Sequence, residues 1–302
     1  MDNQLKVIAL GFFDGVHLGH GALLRRVAER ARELDAVPCA FTCDRSPAAA
    51  LTGKTVPLLS GVDDRAALMR ELYGIQEVIV APFDVMRQMD WQDFVEQYLK
   101  KELGVIHVVA GHDFHFGYKG EGTPQRLGEK CAELGIGCDI IPKVELDGIA
   151  VSSTHIRILV AAGDMEGAAR FLGHPHVLSG KVVHGSELGR TLGTPTANLL
   201  VPEGVIAPAF GVYATRVFLP GGKTRLAVTN VGVRPTVNED KTAVTVEPWI
   251  LDYHGDLYGQ DIRVEFHAHL RPERKFPSVR ALRDAILENA QQTREYFEKA
   301  PR

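Results

Sequence analysis

The chain has 302 residues, 45% hydrophobic and 24% charged, with a formal net charge of -4. That length exceeds one ordinary core and points to two domains, and the composition excludes disordered, collagen-like and fibrous chains. The acidic balance excludes a general electrostatic grip on nucleic acid or an anionic membrane, so any bound anion must be held locally.

The amino-terminal stretch "MDNQLKVIALGFF" has no basic lead and no small-residue cleavage site, and no segment approaches the ~20 apolar residues of a membrane span. A cytoplasmic protein with no membrane partner is therefore expected. From residue 5 to about 145, short apolar runs alternate with amphipathic stretches: "LKVIALGF", "LLRRVAERARELDA", "VPCAFTC", "RAALMRELYG", "EVIVAPF", "WQDFVEQYLKKELG", "VIHVVAGH", "PQRLGEKCAELG" and "CDIIPKV". The alternation predicts a parallel sheet with helices on both faces. Runs that are apolar throughout, "EVIVAPF" and "VIHVVAG", predict strands covered on both sides. Ligands of such sheets sit beyond the carboxyl ends of the strands.

Helices are expected over 154–162 and 164–172, after which "GHPHVLSG" breaks the pattern with glycine and proline. The expected domains are accordingly 1–173 and 174–302. From Lys181 the runs "KVVHG", "TANLLV", "GVYATRVFL", "TRLAVTNVGV", "AVTVEPWIL" and "DIRVEFHAHL" alternate with turns such as "LPGGK", predicting a small antiparallel β-barrel. A final amphipathic helix, capped by Ser278, covers it. Cys39, Cys43, Cys131 and Cys138 lack paired spacing and read as reduced thiols rather than a zinc site.

Two stretches carry chemistry. In "GFFDGVHLGH" a strand gives way to a helix through Asp14, Gly15, His17, Gly19 and His20. Free N–H groups and the helix dipole attract phosphate there, and the two imidazoles, three residues apart, can meet charge that grows on phosphoryl oxygens. A lone histidine at such a place is a cap; the combination points to nucleotidyl transfer. No G-x-x-x-x-G-K-[ST] loop is present. In "VVHGSELGRTLGTPTANL", Thr196 and Asn198 point the same way on an extended segment and can jointly hold Mg²⁺ beside phosphates. Arg190 is either a phosphate neighbour or a solvated loop arginine. Taken alone, Pro-Thr-x-Asn is a turn or strand start, "SSTHIR" is a helix cap, and Glu247 is an exposed strand residue.

The chain resembles prokaryotic bifunctional riboflavin kinase/FAD synthetases. "GFFDGVHLGH", "VVAGHDFHFG" and "VSSTHIR" resemble the adenylyltransferase half, and "PTAN", "TNVGVRPTV", "VTVEPWILDYHGDLYG" and "LRPERKF" the kinase half, together covering nearly the whole chain. The resemblance implies a Rossmann-like nucleotidyltransferase domain followed by a six-stranded riboflavin kinase barrel. It implies that riboflavin is phosphorylated to FMN and FMN adenylylated to FAD, with ATP as co-substrate and Mg²⁺ as cofactor. It assigns catalysis to His17, His20 and Glu247, with Glu247 as the general base. Nucleotide binding falls to Gly11, Phe12, Asp14, Gly15, Gly19, Asp113, Ser152, Ser153, Thr154, Arg157, Gly189, Arg190, Thr196 and Asn198, and metal binding to Thr196 and Asn198.

One departure bears on the first activity. Where the family reads Thr-Phe-x-Pro-His-Pro, this chain has "TCDRSP", with Arg45 and Ser46 in place of proline and histidine; "YKGEG" also departs. The alternatives left open are a riboflavin kinase with a weakened or inactive adenylyltransferase domain, and a non-catalytic flavin- or nucleotide-binding regulatory protein. Arg271 and Lys275 read equally well as surface charge. No nucleic-acid partner is expected, and a homo-oligomer is compatible with the sequence.

Overall fold

The first apolar run forms strand β1, Lys6–Leu10, whose last four residues are buried. Val7, Ile8 and Leu10 contribute about 1.5–3 kcal/mol each on burial, and Ala9 less. The computed structural model describes residues 4–53, 55–184, 194–235 and 242–299. After β1 come α1 (Leu18–Glu33), β2 (Val37–Cys43), α2 (Pro47–Thr52), α3 (Val62–Tyr73), β3 (Glu77–Ala81) and α4 (Phe83–Met86). Then α5, Trp91–Asp93, runs into a looser π-helical stretch, Phe94–Glu102, before β4 (Val105–Gly111), α6 (Pro124–Leu134) and β5 (Gly137–Ile141). A small hairpin of β6 (Glu145–Leu146) and β7 (Ile149–Ala150) follows.

The five main strands form a parallel sheet in the order β3-β2-β1-β4-β5, as expected from the alternation. Chain direction across the sheet reverses at β1, so the crevice beyond the carboxyl ends of β1 and β4 is the natural ligand site. One expectation fails: "EVIVA" does not form a strand covered on both sides. It is the edge strand β3, largely half-buried, with Val80 exposed, because edge position removes one neighbour and thins the cover over each face. The central β4 does fit, with five of seven residues buried.

Beyond the hairpin, α7 (Ser153–Ala162) and α8 (Met165–Leu172) precede the strands β8 (His176–Val183), β9 (Asn198–Leu200), β10 (Gly211–Phe218), β11 (Thr224–Pro235), β12 (Thr242–Ile250) and β13 (Asp261–Pro272). These six close into a barrel in the order β10-β11-β12-β9-β8-β13. The terminal helix α9, Val279–Lys299, starts where Ser278 Oγ accepts the Ala281 N–H at 3.1 Å. The compact units are Met1–Ser153 and Thr154–Arg302. The helices at 154–172 thus group with the barrel, ahead of the division expected at 173/174, and α8 packs onto β8 and β13.

All four cysteines are free. Burial pushes the Cys39 thiol up to about 12 and Cys43 up to about 11, which keeps both protonated and unreactive.

The α1 helix is tied to the far edge of its sheet by one carboxylate. Asp139 Oδ2 accepts from Arg26 Nε at 2.7 Å and Arg30 Nε at 3.0 Å, and lies 2.9 Å from His107 Nε2. Burial alone would raise its pKa, but these three partners outweigh burial and hold it well below the ordinary carboxylate range. A carboxyl depressed in the folded state stabilises fully above its unfolded pKa, and the contribution is lost as pH falls through the folded value. Asp139→Asn is expected to cost about 1–3 kcal/mol at neutral pH. Calorimetry should show a lower melting temperature that converges on wild type in acid; equal values at neutral pH would remove the tie from the account.

Candidate active sites

The strand-to-helix turn after β1 is strained where the sequence is least regular. Phe13 has φ 57°, Gly15 φ 76° and Val16 φ 46°. Left-handed backbone at a β-branched valine persists only when its surroundings enforce it, and such strain collects at functional loops. The twist turns the buried Phe13 ring edge-on to His20, with centroids 5.2 Å apart. A Cβ at Gly19 would stand 3.1 Å from the His17 ring, a tight contact.

His17 is the N-cap of α1, its Nδ1 accepting the His20 backbone N–H at 3.2 Å. An accepting Nδ1 assigns the proton to Nε2, so the His17 ring donates from Nε2. The two imidazoles stack, with centroids 3.6 Å apart and planes within 11°. Burial, then the neighbouring His17 and Arg65, hold the His20 pKa well below its ordinary value. A pair of imidazoles at a helix N-terminus is suited to binding phosphoryl oxygens.

What holds this loop lies far away in sequence. Asp14 is buried, and its Oδ1 accepts the Leu59 N–H at 2.8 Å and the Ser60 N–H at 3.3 Å, while Gly15 N–H donates to Ser60 Oγ at 3.0 Å. Its carboxylate therefore frames the loop. Ser153 Oγ donates to the Asp14 carbonyl at 3.1 Å, which lays the Val151–Ser153 segment against the turn. Thr154 and Arg157 fall in the second compact unit. Asp113, just past β4, has a side chain 82% exposed. Leu59, Ser60 and Arg65 were not singled out by any sequence motif.

Beside the turn opens a hollow of about 860 Å³, walled by Gly11, Phe12, Phe41, Phe83, Phe114 and Phe116, with His115 and Lys119 at its polar side. A flat aromatic ligand with an anionic tail matches that lining. The "TCDRSP" departure lies near its edge. Ser46 Oγ caps α2 by accepting the Ala49 N–H at 3.3 Å, and the exposed Arg45 pairs with Asp84 at 3.0 Å.

In the barrel, the Pro195–Asn198 segment runs beside β12: Ala197 N–H donates to the Pro248 carbonyl at 3.0 Å, and Thr196 bridges Trp249. Thr196 and Asn198 line one hollow of about 490 Å³ with Tyr253, His254 and Tyr258. Thr196 also lines a second, of about 660 Å³, together with Asn230, Glu247, Trp249 and Arg271. Thr196 thus stands where two hollows meet, with the Glu247 carboxylate in the second. Thr245 Oγ1 donates to Glu247 Oε1 at 3.1 Å and orients it.

Arg271 and Lys275 border the same hollow, and Arg271 Nε donates to the buried Asn289 Oδ1 of α9 at 3.0 Å. Gly189 and Arg190 lie outside the described residues. The Asn198 amide nitrogen donates to the Thr196 carbonyl at 3.3 Å.

A parallel sheet with paired histidines at its first strand-to-helix turn, joined to a closed barrel carrying hydroxyl, amide and carboxylate groups, defines a two-site enzyme class acting on nucleotide phosphates. A FAD synthetase family model matches residues 1–155, and a riboflavin kinase model matches residues 172–297. Bifunctional riboflavin kinase/FMN adenylyltransferases from Listeria monocytogenes and Pseudomonas fluorescens are similar over most of their length. The first is 37% identical, covering 97% of this chain and 93% of its own; the second is 39% identical, covering 93% and 89%. A crystal structure described as a macrolide-efflux protein from Streptococcus pneumoniae superposes with a TM-score of 0.82 at 30% identity, covering 96% of this chain and 94% of that one. Among the described residues no helix is long and apolar enough to cross a membrane. The chain belongs to the bifunctional riboflavin kinase/FMN adenylyltransferase family.

Proposed function

We propose that this chain makes FMN from riboflavin in its barrel and FAD from FMN in its α/β unit, each step using ATP. The observation that carries the reading is the presence, in one chain, of the His17–His20 stack at the α1 N-terminus and of Glu247 facing the hollow that Thr196 shares. By function we assign residues 1–173 to FMN adenylyltransferase and 174–302 to riboflavin kinase. Use of ATP in both steps supports a cytoplasmic location.

In the kinase step, Glu247 accepts the proton of the riboflavin 5′-hydroxyl as that oxygen bonds to the γ-phosphorus and the bond to the β-phosphate oxygen breaks, giving FMN and ADP. Thr245 fixes one carboxylate oxygen, so the other is presented to the hydroxyl. Thr196 Oγ1 and Asn198 Oδ1 are hard oxygen donors. Among the described residues no group of three or more acidic, histidine or cysteine side chains forms a metal cage, which fits an ion held mainly by nucleotide phosphates and water. We assign Mg²⁺ to these two residues; when bound it neutralises charge on the transferring phosphoryl group.

In the second step a phosphate oxygen of FMN bonds to the α-phosphorus of another ATP and the α–β bridge breaks, releasing pyrophosphate. His17 and His20, with the first N–H groups of α1, meet the charge that grows on the α-phosphoryl oxygens. Phe12, Phe41 and Phe114 offer faces for the flavin ring, Ser152, Ser153 and Asp113 complete the nucleotide side, and the family motif assigns Thr154 and Arg157 to nucleotide binding as well. Gly189 and Arg190, carried over from the family motif, are assigned to ATP binding.

A second reading, a riboflavin kinase that makes no FAD, is motivated by Ser46 and Arg45, which serve a helix cap and an ion pair in place of the family's histidine and proline. Purified protein incubated with riboflavin, ATP and Mg²⁺ decides between them by chromatography of the products. FMN followed by FAD is expected. FMN accumulating alone selects the second reading, and no product at all returns the chain to a binding role.

A further inference from the structure

Arg65 sits in the first turns of α3 and is fully buried at 0% exposure. Its Nη1 donates to the Phe12 carbonyl at 2.7 Å, to Thr42 Oγ1 at 2.9 Å and to the Cys43 carbonyl at 3.4 Å. Thr42 Oγ1 donates to the same Phe12 carbonyl at 2.8 Å. One nitrogen and one hydroxyl thus join the carboxyl ends of β1 and β2. The guanidinium also lies over the Phe12 ring, 4.3 Å from its centroid. Its Nε and Nη2 are buried and meet no acceptor among the described residues.

A buried cation with unanswered donors is costly, and an apolar side chain of similar volume fills space at lower cost. Packing alone therefore does not explain arginine here. We propose that Arg65 is a positioning residue of the adenylyl-transfer site, acting on Phe12 and His20 from behind the loop without touching substrate. The proposal rests on reading the first unit as that site.

Two links carry the effect. The first is geometric: the Phe12 carbonyl is pinned one residue before the left-handed Phe13, so the Phe12 ring is set as a wall of the aromatic hollow. The second is electrostatic. The Phe13 ring that follows the pinned carbonyl meets His20 edge-on at 5.2 Å, and burial, then His17 from its own segment and Arg65 from α3, disfavour the His20 cation. Burial lowers the Arg65 pKa, and Asp14, turned to Leu59 and Ser60, offsets part of that. Neutral His20 keeps one ring nitrogen as an acceptor or donor in place of a second buried charge beside the guanidinium.

The full-length Arg65→Met and Arg65→Lys proteins test this with FMN and ATP as substrates and with histidine-labelled NMR titration. Arg65→Met should raise the KM for FMN and lower kcat/KM for adenylylation roughly 10- to 100-fold, the cost of a small misplacement. It should also move the acid limb of the pH profile, and the titration of the His20 ring, to higher pH. Arg65→Lys keeps a charge but not the planar fork, so it should hold the pH limb near wild type while sharing the raised KM for FMN. Riboflavin phosphorylation should be unchanged in both.

A uniform loss at every pH with His20 titrating as in wild type would reduce Arg65 to packing and overturn the proposal. If Arg65→Met does not fold, an unchanged KM for FMN in Arg65→Lys overturns it instead. Wild-type protein that makes no FAD would overturn the transferase reading, and the His20 titration would then decide the Arg65 link by itself.

Discussion

His20→Ala is expected to slow FMN adenylylation by about 10²–10³-fold, the usual loss when one preorganised donor to developing charge is removed. Riboflavin phosphorylation should continue at the wild-type rate, because the barrel belongs to a separate compact unit. The variant also removes the ring stacked on His17 at 3.6 Å and leaves the His17 cap without its partner plane. The Phe13 edge contact at 5.2 Å is lost as well, so circular dichroism and the melting temperature must accompany the rates. A variant that folds, makes FMN and still makes FAD at the wild-type rate would remove His20 from the chemistry.

The second large effect lies in the barrel. Glu247→Gln keeps the side-chain volume and an oxygen that Thr245 can bond, but it has no basic carboxylate to take the hydroxyl proton. Phosphorylation should fall by roughly 10²–10⁴-fold, the range for loss of a positioned general base. Riboflavin and nucleotide binding, followed by flavin fluorescence quenching, should persist. An unchanged rate would deny Glu247 its role as base, and lost binding would make it a contact rather than a catalyst. The same variant supplied with FMN should still produce FAD.

The first candidate site was legible from local pattern, whereas Thr196, Asn198 and Glu247 stood out only through the family resemblance. A strand that ends in Gly-Phe-Phe-Asp-Gly and restarts as a helix after His-x-Gly-His writes its whole strained turn within ten residues, and the structure starts α1 at Leu18, where the pattern put it. The barrel strands were equally readable from turns and alternation, and Ser278 caps the terminal helix as expected. Arg65 and Ser60 were not legible. Their partners Phe12, Thr42 and Gly15 lie 53, 23 and 45 residues away, and only the sheet order brings them together.

The same limit explains "EVIVA". An apolar run reports that a strand forms, whereas edge or centre depends on strand order, which single-sequence patterning does not encode. The helices at 154–172 read correctly as helices. The packing of α8 onto barrel strands depends on which apolar face meets which surface, and that information is tertiary. Arg271 looked like surface charge because its partner Asn289 comes from α9, and the pairing appears only when the helix closes over the barrel.

The central claim is that two sites on one chain act in sequence and are joined by FMN. Mixing His20→Ala protein with Glu247→Gln protein in riboflavin, ATP and Mg²⁺ tests it directly. Neither variant alone should turn riboflavin into FAD at an appreciable rate, and the mixture should do so after a lag in which FMN accumulates. A mixture that makes FMN but no FAD, while Glu247→Gln protein remains folded, would contradict the account.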